Sequence, residues 1–334
     1  MAVVTIAALI SAPLSFAADD KIGIFETILE SSQSFSETTT ALETALADSS
    51  LQLHGSHAVR VPDDKQQAKV YVLTSSAYAA AAASESARTV SAQILRIAVY
   101  TQGEAQTTYV NMANPVAHAM VFYANSDDYD AMIAAARSAA DELRGVVAAL
   151  PGKAMSRQQE PMRSEKHYRT FKGDGPARMM AKFRTFRKSQ LIIDSAPADQ
   201  FEATVEAVAA SLSVSNVGDA DDPAGWETIA SVRLRDDVAY VGVTNPYIED
   251  KMVRINSRFR GDAKSESAPY PGVDHVAALP TDVLIVKDGD ETKILHYGQM
   301  WRMQLYFWDS GYRAFTANVG VPSKIANSIE DAVG

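Results

Sequence analysis

Residues 276–315 read VAALPTDVLIVKDGDETKILHYGQMWRMQLYFWDSGYRAF, and this stretch decides the fold because its landmarks occur once before. VAALP also stands at 147–151, His296-Tyr297 echoes His167-Tyr168, and YRAF at 312–315 echoes FRTF at 183–186, each pair 129 residues apart. Upstream, YVNMANP at 109–115 parallels YVGVTNP at 240–246, 131 residues apart. Self-similarity at a fixed period marks a unit used more than once. The expectation is two tandem units related by an internal pseudo-twofold. Inside the quoted stretch, Asp282–Lys287 and Thr292–Tyr297 are β-prone runs joined by Asp288-Gly289-Asp290, a hairpin signal.

Working outward, the second unit has a strand at Ser189–Asp194, a helix from Pro197 to Leu212, and strands at Thr228–Leu234 and Ala239–Val243. Asn245-Pro246 then starts a helix, as an Asn cap followed by proline at the first helical position should. The first unit reads alike: a strand within Ile22–Ser32, a helix to Asp48, then strands at Leu51–Val61, Ala68–Thr74, Gln93–Thr101 and Thr107–Met112. Asn114-Pro115 opens a helix to Tyr123, and a second helix spans Ser126–Ala149. The fold class is α+β: two tandem β-α-β-β-α-β units, with mainly antiparallel sheets and helices on one face. The Ala-rich run 76–90 has no sequence counterpart in unit two and reads as an insertion. The units are 19–156 and 189–334, separated by a basic connector at 157–188.

A chain of 334 residues with 47% hydrophobic content has ample material for two cores. The formal charge of −10 argues against a general nucleic-acid binder, which needs clustered Lys and Arg. The connector, from Arg157 through Arg163, Lys166 and Arg169 to Lys188, is the basic exception. It reads as a solvated link or as a docking strip for an acidic partner. Residues 1–18 are uncharged; AVVTIAALI leads through Pro13 to SFAA, the hydrophobic region and cleavage site of a signal peptide, although the positive start is missing. A periplasmic or secreted location is expected, with no transmembrane segment in the mature chain. The absence of Cys excludes disulfides and thiolate metal sites.

The Asn-Pro helix start followed by Leu-Pro before the last hairpin resembles the family known as domain of unknown function 302. Asn245-Pro246 with Leu279-Pro280 and the hairpin 282–297 carry the likeness in unit two, and Asn114-Pro115 with Leu150-Pro151 in unit one. After Pro151 the hairpin gives way to the basic connector. The resemblance implies a small α+β fold and brings no catalytic residues.

Imidazole and thioether together suit copper in an export compartment. His296 with Met300 and Met303 is one such set, and His118 with Met120 another, against the alternative of buried histidines and methionines that fill core gaps. His54 and His57 sit three apart, on opposite sides of a regular strand, so joint ligation would need a bulge at Gly55. His167, Tyr168, Tyr297, Trp301 and Trp308 are candidates for a seam or ligand surface between units. No G-x-S-x-G, phosphate-binding loop, H-E-x-x-H or dinucleotide fingerprint occurs. The leading expectation is a non-enzymatic binding or assembly component, its ligand or protein partner at the seam. A copper- or haem-handling protein is the alternative.

Overall fold

A computed structural model describes residues 21–62, 66–170, 190–213, 218–259 and 272–334. The expected signal peptide, the connector beyond Thr170 and the FRTF echo lie outside these residues.

The first half runs β1 (Lys21–Ile22), β2 (Phe25–Ser31), α1 (Phe35–Ala47), β3 (Leu51–Ala58), β4 (Ala68–Ser75), α2 (Ser76–Ala81), β5 (Leu95–Gln102), β6 (Thr107–Ala113), α3 (Pro115–Phe122), α4 (Tyr129–Val147), β7 (Gly152–Gln158), β8 (Arg163–Ser164) and α5 (Glu165–Arg169). The second half runs β9 (Gln190–Pro197), α6 (Phe201–Ser211), β10 (Glu227–Arg235), β11 (Val238–Thr244), α7 (Pro246–Phe259), β12 (Thr281–Asp288), β13 (Glu291–Tyr297), α8 (Gln299–Tyr306), α9 (Gly311–Ala317) and α10 (Val321–Val333). The local signals work as read. Ser34 accepts from the Glu37 N–H while Glu37 accepts from the Ser34 N–H, a reciprocal cap on α1. Asn114 caps α3 and Asn245 caps α7, each with proline next.

Two antiparallel sheets result, in the orders β3-β4-β5-β6-β2-β7 and β10-β11-β12-β13-β9, with β1 paired to β8 apart from them. Strands β4 and β5 are buried at nearly every position, and so is β12 up to Val286. Successive strand side chains point to opposite faces, so these sheets must be covered on both. Helices α1 and α4 pack on the first sheet and α6 and α10 on the second, while the other half of the chain supplies the remaining cover.

The two sheets share one connectivity and one register. Val72 faces Arg96 as Gly242 faces Asp282; Ile97 faces Met112 as Val283 faces His296; Phe25 faces Ala113 as Gln190 faces Tyr297. Bulges fall at matching places, at His54 and Ile229, and again at Ile28 and Ile193. This equivalence differs from the 129- and 131-residue spacings. The similar stretches 109–115 and 240–246 are β6 entering α3 and β11 entering α7, and β6 corresponds to β13 whereas β11 corresponds to β4. A β-rich run closed by Asn-Pro is a local solution open to any strand-to-helix junction, so its recurrence does not report the place of that junction in a sheet.

Three further expectations are corrected. The Ala-rich run 76–90 is no insertion: it supplies α2 and part of the 3-10 segment Ala87–Gln93 in the β4–β5 connection, where 246–259 and 273–278 stand in the β11–β12 connection. The segment after Pro151 forms β7, which lies antiparallel against β2. Both halves run β-α-β-β-α-β-β, one strand more than β-α-β-β-α-β, because the second connection is followed by two strands and then a helix, and the first sheet adds β7 as well.

The halves interlock. The 3-10 segment Ala87–Gln93 of the first half lies on β11 and β12, and the 3-10 segment Val273–Ala278 of the second lies on β4, β5 and β6. Asn111 donates to the Asp274 carbonyl at 2.6 Å, while Tyr297 and Gln190 both donate to the Arg88 carbonyl at 3.0 Å. Edge strands β3 and β10 also touch. A Cβ at Gly55 would fall inside the Ile229 carbonyl oxygen, so only glycine fits there.

Candidate binding site

The junction between the sheets holds a buried polar chain. Arg96 Nη2 on β5 donates to Asp282 Oδ1 on β12 at 2.7 Å, and both residues are at most 2% exposed. Tyr240 donates to the same oxygen at 2.7 Å, and Arg96 Nη1 donates to the Tyr306 hydroxyl at 3.0 Å. His118 extends the chain: Nδ1 faces the Asn114 carbonyl at 3.1 Å and Nε2 faces the Tyr306 hydroxyl at 2.7 Å. A carbonyl only accepts, so Nδ1 carries the proton and Nε2 accepts from Tyr306. That neutral tautomer agrees with burial and the nearby Arg96 pushing the His118 pKa down to about 3.

Arg302 on α8 lies beside this chain. Its guanidinium donates to the Thr281 hydroxyl, the Gln299 side-chain oxygen and the Ala278 and Pro280 carbonyls, at 2.8 to 3.2 Å. All four acceptors are neutral, and Nε has no hydrogen-bond partner. Arg302 is 6% exposed, and burial lowers its pKa.

Arg302 also lines a pocket in the second half. Its walls are apolar: Ile248, Met252 and Ile255 of α7, Leu279 before β12, Met303 of α8 and Ile325 of α10. The cavity measures about 60 Å³, with Lys251 the other cation on its lining. Lys251 has an acidic neighbour in Asp250 at 3.5 Å.

The sequence-predicted residues scatter. His296 is fully buried on β13, with Nδ1 2.9 Å from the Tyr297 carbonyl and Nε2 3.6 Å from Glu330 on α10. Met300 and Met303 are half-buried on α8, and Met303 alone of the two lines the pocket. His118 spends both nitrogens within the protein, and Met120 is core. His167 does not occupy the place of His296: it lies on the short helix α5, whereas His296 is mid-sheet. Its neighbour Tyr168 is buried and donates to the Ile22 carbonyl at 3.1 Å. The Tyr297 and Trp301 rings lie 5.2 and 5.6 Å from Phe122 of the first half. Trp308 packs on Phe315 within the C-terminal tail. A bulge exists beside Gly55, yet His54 bonds Thr74 while His57 bonds Glu249. Among the described residues, no cluster of three or more His, Cys, Asp or Glu is placed to hold a metal ion, and no helix is long and apolar enough to cross a membrane.

Of the basic connector, Arg157 lies over the Tyr109 ring at 5.3 Å, and Arg163 is buried, donating to the Gln304 and Leu305 carbonyls. Both belong to the folded body.

Sequence reasoning missed three clusters. Arg96 with Asp282 is one and Arg302 another. In the third, buried His275 has Asp274 at 3.1 Å from Nδ1 and Asp309 at 3.0 Å from Nε2, with Phe307 stacked on its ring. The one available signal was Arg302 itself, a cation inside the aromatic-rich run WRMQLYFW.

Comparison with protein-family models, curated proteins and solved structures found no match for this chain.

Proposed function

We propose that the chain is an exported, non-enzymatic binding protein, and that its ligand occupies the pocket between α7, α8 and α10. The observation carrying this reading is shared wall structure. Ala278, Leu279, Arg302 and Phe307 line the pocket, and the same segments reach the first half, through Val273–Ala278 on β4 and β5 and through His275, which stacks on Phe307 and meets the Phe25 ring at 5.3 Å. A mostly apolar lining with a few placed polar groups is the ordinary character of a ligand site. Because its back wall is the junction, a ligand there senses both halves. Export rests on the uncharged apolar residues 1–18.

Methyl NMR shifts on titration with hexan-1-ol test this reading. Shifts centred on Ile248, Met252 and Ile325, lost in a pocket-filling Ile325→Trp variant, support it; scattered shifts, or none, overturn it. Copper handling keeps one supporting observation, the His296 Nε2 without a hydrogen-bond partner. Cu(I) titration of the His296→Ala variant decides it: unchanged uptake rules it out.

A further inference from the structure

We infer that the pocket is built for a short aliphatic chain ending in an anionic group, with a carboxylate the best match, and that Arg302 receives that group. The inference rests on the pocket being a ligand site and adds the chemical class of the ligand. Charge around Arg302 carries it. Two guanidiniums, Arg96 and Arg302, lie close to one carboxylate, Asp282, and that carboxylate is committed to Arg96 and Tyr240. Arg302 makes no ion pair among the described residues; it is held by neutral oxygens, and its Nε is unbonded. Burying a cation whose nearest carboxylate is already committed elsewhere is unfavourable unless its charge is answered. A buried, perturbed cation in the lining of a cleft is a candidate for binding an anion.

The geometry sets the rest of the ligand. Arg302 lies in the lining of the cavity, whose other walls offer hydrocarbon from Ile248, Met252, Leu279, Met303 and Ile325. Four of the five guanidinium N–H groups are spent on protein oxygens, so the ligand's anionic group is received by the remaining Nε–H through one charge-assisted hydrogen bond, which suits one oxygen of a carboxylate. The volume of about 60 Å³ holds roughly five water-sized spheres, enough for the first few carbons of a slim chain, whose remainder runs out of the mouth, and too little for a ring system. Lys251 does not compete as the anchor, since Asp250 and the Ala220 carbonyl already face its ammonium.

The test compares hexanoate, methyl hexanoate, hexan-1-ol and hexylamine on the intact protein at pH 7, by calorimetry and methyl shifts. Hexanoate is expected to bind about tenfold tighter than the ester or alcohol, as a charge-assisted hydrogen bond in a dry site requires, and hexylamine more weakly than either. Arg302→Met removes the preference for hexanoate while retaining the alcohol. Equal affinity for hexanoate and the alcohol overturns the anionic assignment and leaves the pocket standing. Failure of all four probes overturns the pocket as well. The wild-type series decides the matter even where Arg302→Met fails to fold.

Discussion

Arg96 and Asp282 form a 2.7 Å ion pair between residues that hold the same position in their two sheets, one facing Val72 and the other Gly242. Equivalent positions brought together lie where two like halves meet, so this pair marks the centre of the junction.

Breaking it should be costly. Asp282→Asn leaves Arg96 buried without its carboxylate, an effect of about 3–5 kcal/mol. Arg96→Met combined with Asp282→Leu should cost less than the sum of the single changes, because neither charge is stranded. Urea midpoints of the four proteins check this; strict additivity would mean that the pair is not coupled.

His275 predicts a pH dependence. Burial, the largest influence, opposes its charge, but Asp309 and Asp274 together outweigh burial and hold its pKa above the ordinary value. A raised folded pKa contributes stability that is complete below the unfolded value of about 6.5 and is lost as pH rises through the folded value. Thermal stability of the wild type should therefore fall above pH 6.5 relative to His275→Gln. Parallel pH profiles would rule this out.

Glu249 is fully buried on α7 and ties the halves at their edge. It accepts from His57 Nε2 at 2.7 Å, the Arg60 backbone N–H at 2.7 Å and the Thr244 hydroxyl at 2.8 Å. Glu249→Gln puts a donor where acceptors are required and should cost about 1–3 kcal/mol. Amide exchange at Arg60 should accelerate as well.

Gly55→Ala places a methyl group against the Ile229 carbonyl, with the Ala230 Cβ next nearest and no flexible side chain to give way. We expect a loss of at least about 1–3 kcal/mol, as for overpacking. An unchanged melting temperature would show that β3 and β10 can separate freely.

Local structure was legible where chemistry acts within a few residues. Ser34 with Glu37 and the hairpin around Gly289, at φ 65°, are short-range signals with one physical outcome each. The α+β class followed from them. The equivalence of the halves was hidden, because what repeats is register and bulge position, and Arg96 and Asp282 share a place without sharing chemistry. Spacings of 129 and 131 residues aligned locally similar segments in its place. The polar site was equally hidden: His118 meets Tyr306 from 188 residues away, and Arg96 meets Asp282 from 186. Nothing in either local neighbourhood forces those meetings. His167-Tyr168 and His296-Tyr297 show the converse, identical dipeptides placed on a helix and on a strand by the segments around them.

The exchange of 3-10 segments across the junction gives each sheet a cover that its own half does not supply. On separate chains, halves built this way would be stable only as a pair, and their folding would weaken on dilution. Joined in one chain, each half faces the other at a fixed effective concentration on the order of millimolar or above. What a dimer achieves only above its dissociation constant, this molecule achieves at any dilution.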